Sequence, residues 1–188
     1  MSKSCGSCSL CCQVLEIPEL AKPAGQVCVH VVAGRGCGVY ADRPAPCRTF
    51  TCGWLATAAL GEVWRPDVAG FLIRDERDLG HICIDVDPAR PGAWRAAPYL
   101  EQVTAWSRMV WERTGCLLIY DGERTTVVFP EEEIDIGRFG NDQRLMVGYR
   151  RVAGVQRPMV RLMEGEAVAR EWLGQNTRKG RLDSEEPR

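Results

Sequence analysis

The sequence predicts an α+β fold in which an irregular, cysteine-rich module packs on a small, mainly antiparallel sheet with one main helix. Three observations carry this reading. Eight of the ten cysteines fall between Cys5 and Cys52, in a stretch that also holds Gly34, Gly36, Gly38, Pro44 and Pro46 and has little apolar periodicity. From Val68 onward the chain changes to short apolar runs rich in β-branched residues. A single longer segment between two of those runs has the spacing of an amphipathic helix.

The runs are VAGFLIR, HICIDV, CLLIY, TTVVF, RLMVGYRRV and MVRLM, separated by turn formers such as Asp121-Gly122. Each has strand length and composition, and their close succession predicts hairpins. From Pro98 to Thr114, Leu100, Val103, Trp106 and Val110 recur at helical spacing, and Gly115 stands where a helix stops. A shorter helix is predicted from Glu166 to Leu173, and QNTRKGRLDSEEPR beyond it has nothing to bury. The organisation expected is therefore a cysteine module over residues 1–60, a sheet-and-helix region over 61–174 and a disordered tail over 175–188.

At 188 residues and 45% hydrophobic, the chain can bury one substantial core. A formal net charge of -1 leaves no excess of Lys and Arg for a phosphate backbone, so no nucleic-acid partner is expected. The start, MSKSCGSCSL, has no apolar signal-like stretch, and the apolar runs are too short to span a bilayer. The expectation is a cytoplasmic protein with no membrane partner. In a reducing compartment, clustered cysteines bind metal more often than they pair as disulfides.

Cys5, Cys8 and Cys11 form a CxxCxxC run with Cys12 directly after it; Cys28, Cys37, Cys47 and Cys52 form a second, wider cluster bent by Arg43-Pro44 and Pro46. Two-residue gaps let a tight turn aim successive thiolates, with its backbone N–H groups, at one metal or cluster. Adjacent side chains are expected to point apart, which assigns Cys11 and Cys12 to different ions. Eight thiolates match two zinc ions in closed four-thiolate shells. The alternative is iron or an iron-sulfur cluster, for which CxxCxxC supplies three ligands while Leu15 stands where a fourth cysteine would follow. Residues 1–60 otherwise hold five basic against three acidic residues, so with eight thiolates and two divalent ions the segment keeps a net charge of -2. Arg43 and Arg48, with Arg35, are expected to offset that charge from around the sulfurs.

Together, CGSCSLCC, Cys28, Gly36-Cys37-Gly38-Val39-Tyr40, Arg43-Pro44, Cys47-Arg48 and Phe50-Thr51-Cys52 resemble the CxxCxxCC cysteine-cluster family of YkgJ type, a zinc- or iron-chelating domain. The resemblance spans Cys5 to Leu55 and implies metal chelation by all eight cysteines. The gap between Cys12 and Cys28 is shorter than in longer members of that family. The rest of the chain is expected to serve as support or to meet a protein partner, and no catalytic residue is identified.

Other conspicuous residues have plainer readings. Cys83 and Cys116 fall in predicted strands and are expected to act as small buried hydrophobes. His30 is expected around the metal or at the surface rather than on the metal, and His81 at a strand start is expected to have no functional role. Asp85 with Asp87, Asp121 with Glu123, and the acidic run Glu131 to Asp135 are expected to be solvated. Trp54, Trp64, Trp94, Trp106 and Trp111 are expected to pack the core.

Overall fold

The computed structural model describes residues 3–76, 80–113, 115–140 and 143–164. The predicted helix 166–173 and the tail 175–188 lie outside them.

The N-terminal third is held in short pieces. One-turn helices α1 (Leu10–Val14), α2 (Ala45–Thr49) and α3 (Gly53–Ala56) alternate with loops and a two-residue ribbon of β1 (Val31–Val32) with β2 (Gly36–Cys37). Helix α4 (Pro66–Ala69) opens on Pro66, whose missing N–H costs nothing at a first turn, and closes on Gly70 at φ +81°.

The sheet follows in the order β3 (Phe71–Glu76), β4 (His81–Val86), β5 (Leu117–Asp121), β6 (Arg124–Val128), β7 (Glu133–Gly137). It is a mixed sheet, still mainly antiparallel as expected. Three of its pairings are antiparallel, but β4 and β5 run parallel, in register Ile82↔Leu117 to Asp85↔Tyr120. The physical reason is the helix α5 (Tyr99–Glu112), which lies between those strands in sequence. A parallel pair needs a crossover of a dozen or more residues, and α5 supplies it. The last two predicted strands, β8 (Gln143–Val152) and β9 (Val155–Glu164), form a separate antiparallel ribbon. Strand β7 was hidden in the acidic run: Ile134 and Ile136 alternate with Glu133 and Asp135, and both isoleucines pack on the core around Phe129.

Helix α5 buries Tyr99, Val103, Ser107 and Val110, one residue earlier at its start than the spacing suggested, so that Leu100 is left exposed. Its end is set by Gly115, whose N–H donates to the Val110 carbonyl at 2.8 Å. A Cβ on Gly115 would stand 1.9 Å from the Gly80 carbonyl oxygen, so close backbone approach demands glycine there.

The sheet-and-helix core is continuous with the cysteine module. Leu10, Val14, Cys52 and Trp54 belong to the same buried cluster as Phe71, Leu72, Ile84, Val103, Leu117 and Ile119. Burying side chains of this size stabilises by about 1.5–3 kcal/mol each. Trp64 sits in an aromatic group, with Tyr99 at 5.0 Å, Trp106 at 5.2 Å and Phe71 at 6.1 Å between ring centroids. Among the described residues, no helix is long and apolar enough to cross a membrane.

Candidate metal centre

The first cluster is shaped by one tight turn and one helical turn. The Cys8 N–H donates to the Cys5 carbonyl at 2.9 Å with Gly6 at φ +53°, and α1 then carries Cys11 and Cys12. The second cluster is tied to the first by backbone, because the Cys28 N–H donates to the Cys12 carbonyl at 2.9 Å. Gly36 brings Cys37 in: it sits at φ +82°, and a Cβ there would meet the Gly6 carbonyl oxygen at 2.6 Å. Only glycine lets this strand lie against the CxxC turn. Cys47 rides on α2 behind Pro44 and Pro46, and Cys52 stands at the N-terminus of α3.

Two anchors hold this arrangement to the sheet. Gly53 lets α3 lie directly on β3, since a Cβ would be 2.7 Å from the Ile73 methyl. Lys3 ties the chain start to the same helix, donating to the carbonyls of Trp54 at 2.8 Å, Thr57 at 2.6 Å and Leu60 at 2.5 Å. Its ammonium also lies 5.1 Å from the Trp54 ring centroid.

The outcome is that Cys5, Cys8, Cys11, Cys12, Cys28, Cys37, Cys47 and Cys52 all line one cavity of about 1010 Å³. Cys28 and Cys52 are buried and the other six half-buried. The thiols divide into two neighbourhoods. Cys11 interacts electrostatically with Cys8 and Cys5, Cys8 with Cys52, and Cys52 with Cys5. Cys47 interacts with Cys12, Cys28 and Cys37. The two meet at Cys11 and Cys12, whose sulfurs are 4.0 Å apart. Here the expectation that adjacent thiols point away from each other is not met, because on one short helical turn both side chains lean toward the same cavity.

The thiols do not form a closed shell: among the described residues, no three His, Cys, Asp or Glu side chains stand together as a group able to hold a metal ion. The thiols are of the donor type that zinc and iron accept, and all eight line one space.

Electrostatics separate the thiols further. Burial raises the pKa of Cys8, Cys47 and Cys52 above the ordinary thiol range. Cys12 goes the other way and is lowered, through its contact with the Cys11 sulfur and the charges of Lys22 and Arg43. Cys11, the other member of that pair, is held up by the contact and by its partial burial.

Of the two expected supporting arginines, Arg43 acts electrostatically on Cys12 and Cys47. Its guanidinium stacks 3.8 Å from the Tyr40 ring centroid and donates to the Tyr40 carbonyl at 2.9 Å. Exposed Arg48 instead donates to the Arg43 carbonyl, bracing the turn. His30 lies at the cavity wall.

Cys83 and Cys116 are buried away from this cavity, each 3% exposed, among Leu118, Val127 and Phe129. Burial pushes both thiols up to about 12. His81 accepts a hydrogen bond at Nδ1 from the Cys116 N–H at 3.1 Å, a structural role at the strand start.

Sequence reasoning missed three contributors. Lys22 is buried, at 8% exposure, beside the second thiol neighbourhood, and its position before Pro23 in a polar loop gave no sign of it. The Tyr40 hydroxyl donates to the Cys5 sulfur at 3.7 Å. Asp85, expected to be solvated, is buried, because the neighbouring strand places Arg74 where Nε and Nη2 donate to its carboxylate at 2.6 and 3.2 Å. This pair also lines the cavity, with Tyr120. The other acidic expectations also meet partners: Asp121 accepts from the Gly92 N–H at 2.7 Å, and Glu133 pairs with Arg95 at 2.6 Å.

No family model matches the sequence, and no curated protein or solved structure matches it.

Proposed function

We propose that this chain is a metal-chelating cysteine-cluster protein that holds two zinc ions in four-thiolate sites. One site uses Cys5, Cys8, Cys11 and Cys52; the other uses Cys12, Cys28, Cys37 and Cys47. The observation that carries the reading is that eight thiols from separate turns, loops and helices line a single cavity, in two electrostatic neighbourhoods of four. The resemblance of this segment to the CxxCxxCC family supports the same reading.

The chain's own groups are suited to such a load. Tyr40 donates toward Cys5, the N–H groups of Trp54 and Leu55 favour a thiolate at Cys52, and Lys22 and Arg43 face Cys12. Bound zinc would supply folding energy to a segment built of one-turn helices and loops.

A second reading, iron or an iron-sulfur cluster in a redox or enzyme-accessory role, is favoured by the closeness of the Cys11 and Cys12 sulfurs. Anaerobic purification followed by elemental analysis and an absorption spectrum tests both. Two zinc ions per chain with no visible absorption supports the first; a brown protein that bleaches on reduction supports the second.

A further inference from the structure

The outward face of the β8–β9 ribbon has a composition that the fold does not require. The strands meet in a tight turn with Ala153 at φ +49° and Gly154 at φ +82°, two left-handed positions that match a hairpin's twist and pin its register. That register divides the ribbon into two faces, because side chains alternate along a strand and opposed residues share a side. Leu145, Val147 and Val160 lie on one face and pack against the core around Phe129. The other face looks outward: Arg157 and Arg161 are exposed on it, and so are Val152 and Val155, at 46% and 56%.

Between Arg144 and Val152 on one strand, and Val155 and Met163 on the other, this face holds four arginines, three methionines, two valines and a glycine. It has no acid and no lysine. The register sets Arg150 opposite Arg157, and like charges at opposed positions destabilise a strand pair, so the ribbon by itself gains nothing from the pattern. Around the neighbouring sheet exposed arginines are matched: Arg95 with Glu133, Arg124 with Asp135 and Arg138 with Glu123. Among the described residues, Arg157 and Arg161 have no such carboxylate.

Charge alone suits phosphate as well as carboxylate, but the residues between the arginines favour a protein. Arginine and methionine are enriched at the centre of protein interfaces, where lysine and acids are depleted. Phosphate oxygens are met by lysine and by hydroxyl and amide side chains as well as arginine, and this face has none of those others. A symmetric contact with a second copy would set arginines on arginines. Residues 165–188, which follow β9, hold five acidic and five basic residues and so bring no excess of negative charge.

We propose that this face docks an acidic, extended segment of a partner protein, with carboxylates against Arg157 and Arg161 and apolar side chains against Met146, Met159 and Met163. Methionine is unbranched and polarizable and adapts to the apolar side chain it meets. At about 3.4 Å per residue, the ten-residue strands offer about 30 Å, room for an extended segment of about ten residues. The docking surface is independent of what the cysteines hold.

Fluorescence anisotropy on the full chain tests it. The probe is a labelled peptide of about twelve residues alternating glutamate and leucine, compared with a single-stranded oligonucleotide of equal charge. The peptide is expected to bind more tightly than the oligonucleotide, and more weakly as salt rises. Arg157→Glu with Arg161→Glu should weaken peptide binding about 10-fold or more, and Met146→Gln with Met159→Gln about 10-fold. Arg157→Gln with Arg161→Gln decides should the charge reversal unfold the ribbon. Arg108→Gln, an exposed arginine of α5, should bind as the wild type does.

No binding of the peptide, unchanged affinity in the arginine or the methionine variants, or an equal loss in Arg108→Gln would overturn the proposal. Tighter binding of the oligonucleotide would overturn it in favour of a phosphate-binding surface. Self-association in sedimentation that the arginine variants abolish would overturn it in favour of a second copy.

Discussion

The sulfurs of Cys11 and Cys12 lie 4.0 Å apart on one helical turn, at the seam between two groups of thiols. A tetrahedral zinc shell with bonds of about 2.3 Å has sulfurs roughly 3.8 Å apart along each edge. The 4.0 Å separation is close to that same-ion edge, so the division of the two thiols between two sites rests on their different partners and not on this distance. Cys12 faces Lys22, Arg43 and Cys47, while Cys11 faces Cys8 and Cys5.

The seam has a chemical signature in the metal-free protein. Cys12 is drawn down by its contact with the Cys11 sulfur and by Lys22 and Arg43, while burial holds Cys8, Cys47 and Cys52 above the ordinary range. Alkylation of Cys12 should rise at lower pH than that of those three. A thiol lowered below its unfolded value adds stability that is present above that value and is lost as the pH falls through the lowered one. Mass spectrometry of pulse-alkylated protein across pH checks this, and simultaneous titration of all the thiols would refute it.

Cys83 and Cys116 should be bystanders. The double variant Cys83→Ala with Cys116→Ala should keep its full metal content, since both thiols are buried among apolar side chains away from the cavity. In the wild type both should stay unreactive at pH 8, because burial pushes them up to about 12. Metal loss in the double variant would rewrite the ligand set.

Much of this was legible in the sequence and some was not, for definable reasons. The six apolar runs became strands because β-branched residues at strand spacing point to one conformation, and Val103 to Val110 became helix for the analogous reason. Strand β7 was missed because its two isoleucines alternate with acids that dominate its composition. The parallel β4–β5 pair is a matter of chain path, which local pattern does not encode. The eight cysteines announced themselves by spacing, whereas Lys22 and Asp85 did not, since burial of a charge depends on partners distant in sequence.

The Arg74–Asp85 pair should matter for stability. The Asp85 side chain is 11% exposed, and its loss would leave Arg74 without the partner that takes two of its donors. Asp85→Ala should destabilise by about 2 kcal/mol, below the range for a fully buried pair because Arg74 keeps Glu76. Denaturant unfolding measures it, and a change within error would move the pair to the solvated class.

Metal removal should loosen the module unevenly. The loops carrying Cys28, Cys37 and Cys47 bury little apolar surface, whereas Leu10, Val14, Cys52 and Trp54 share the core of the sheet. Amide exchange after chelator treatment should show residues 17–50 deprotected and β3 to β6 unchanged. Uniform protection before and after would count against ligation as their source of order.

The most direct test of the two-site account is the metal content, by elemental analysis, of anaerobically purified wild type, Cys11→Ser and Cys12→Ser. The account predicts two metal ions per chain in the wild type and about one in each variant, because each thiol belongs to a different four-thiolate site. Complete loss from either variant would contradict it in favour of a single shared cluster, and a metal-free wild type would contradict chelation altogether.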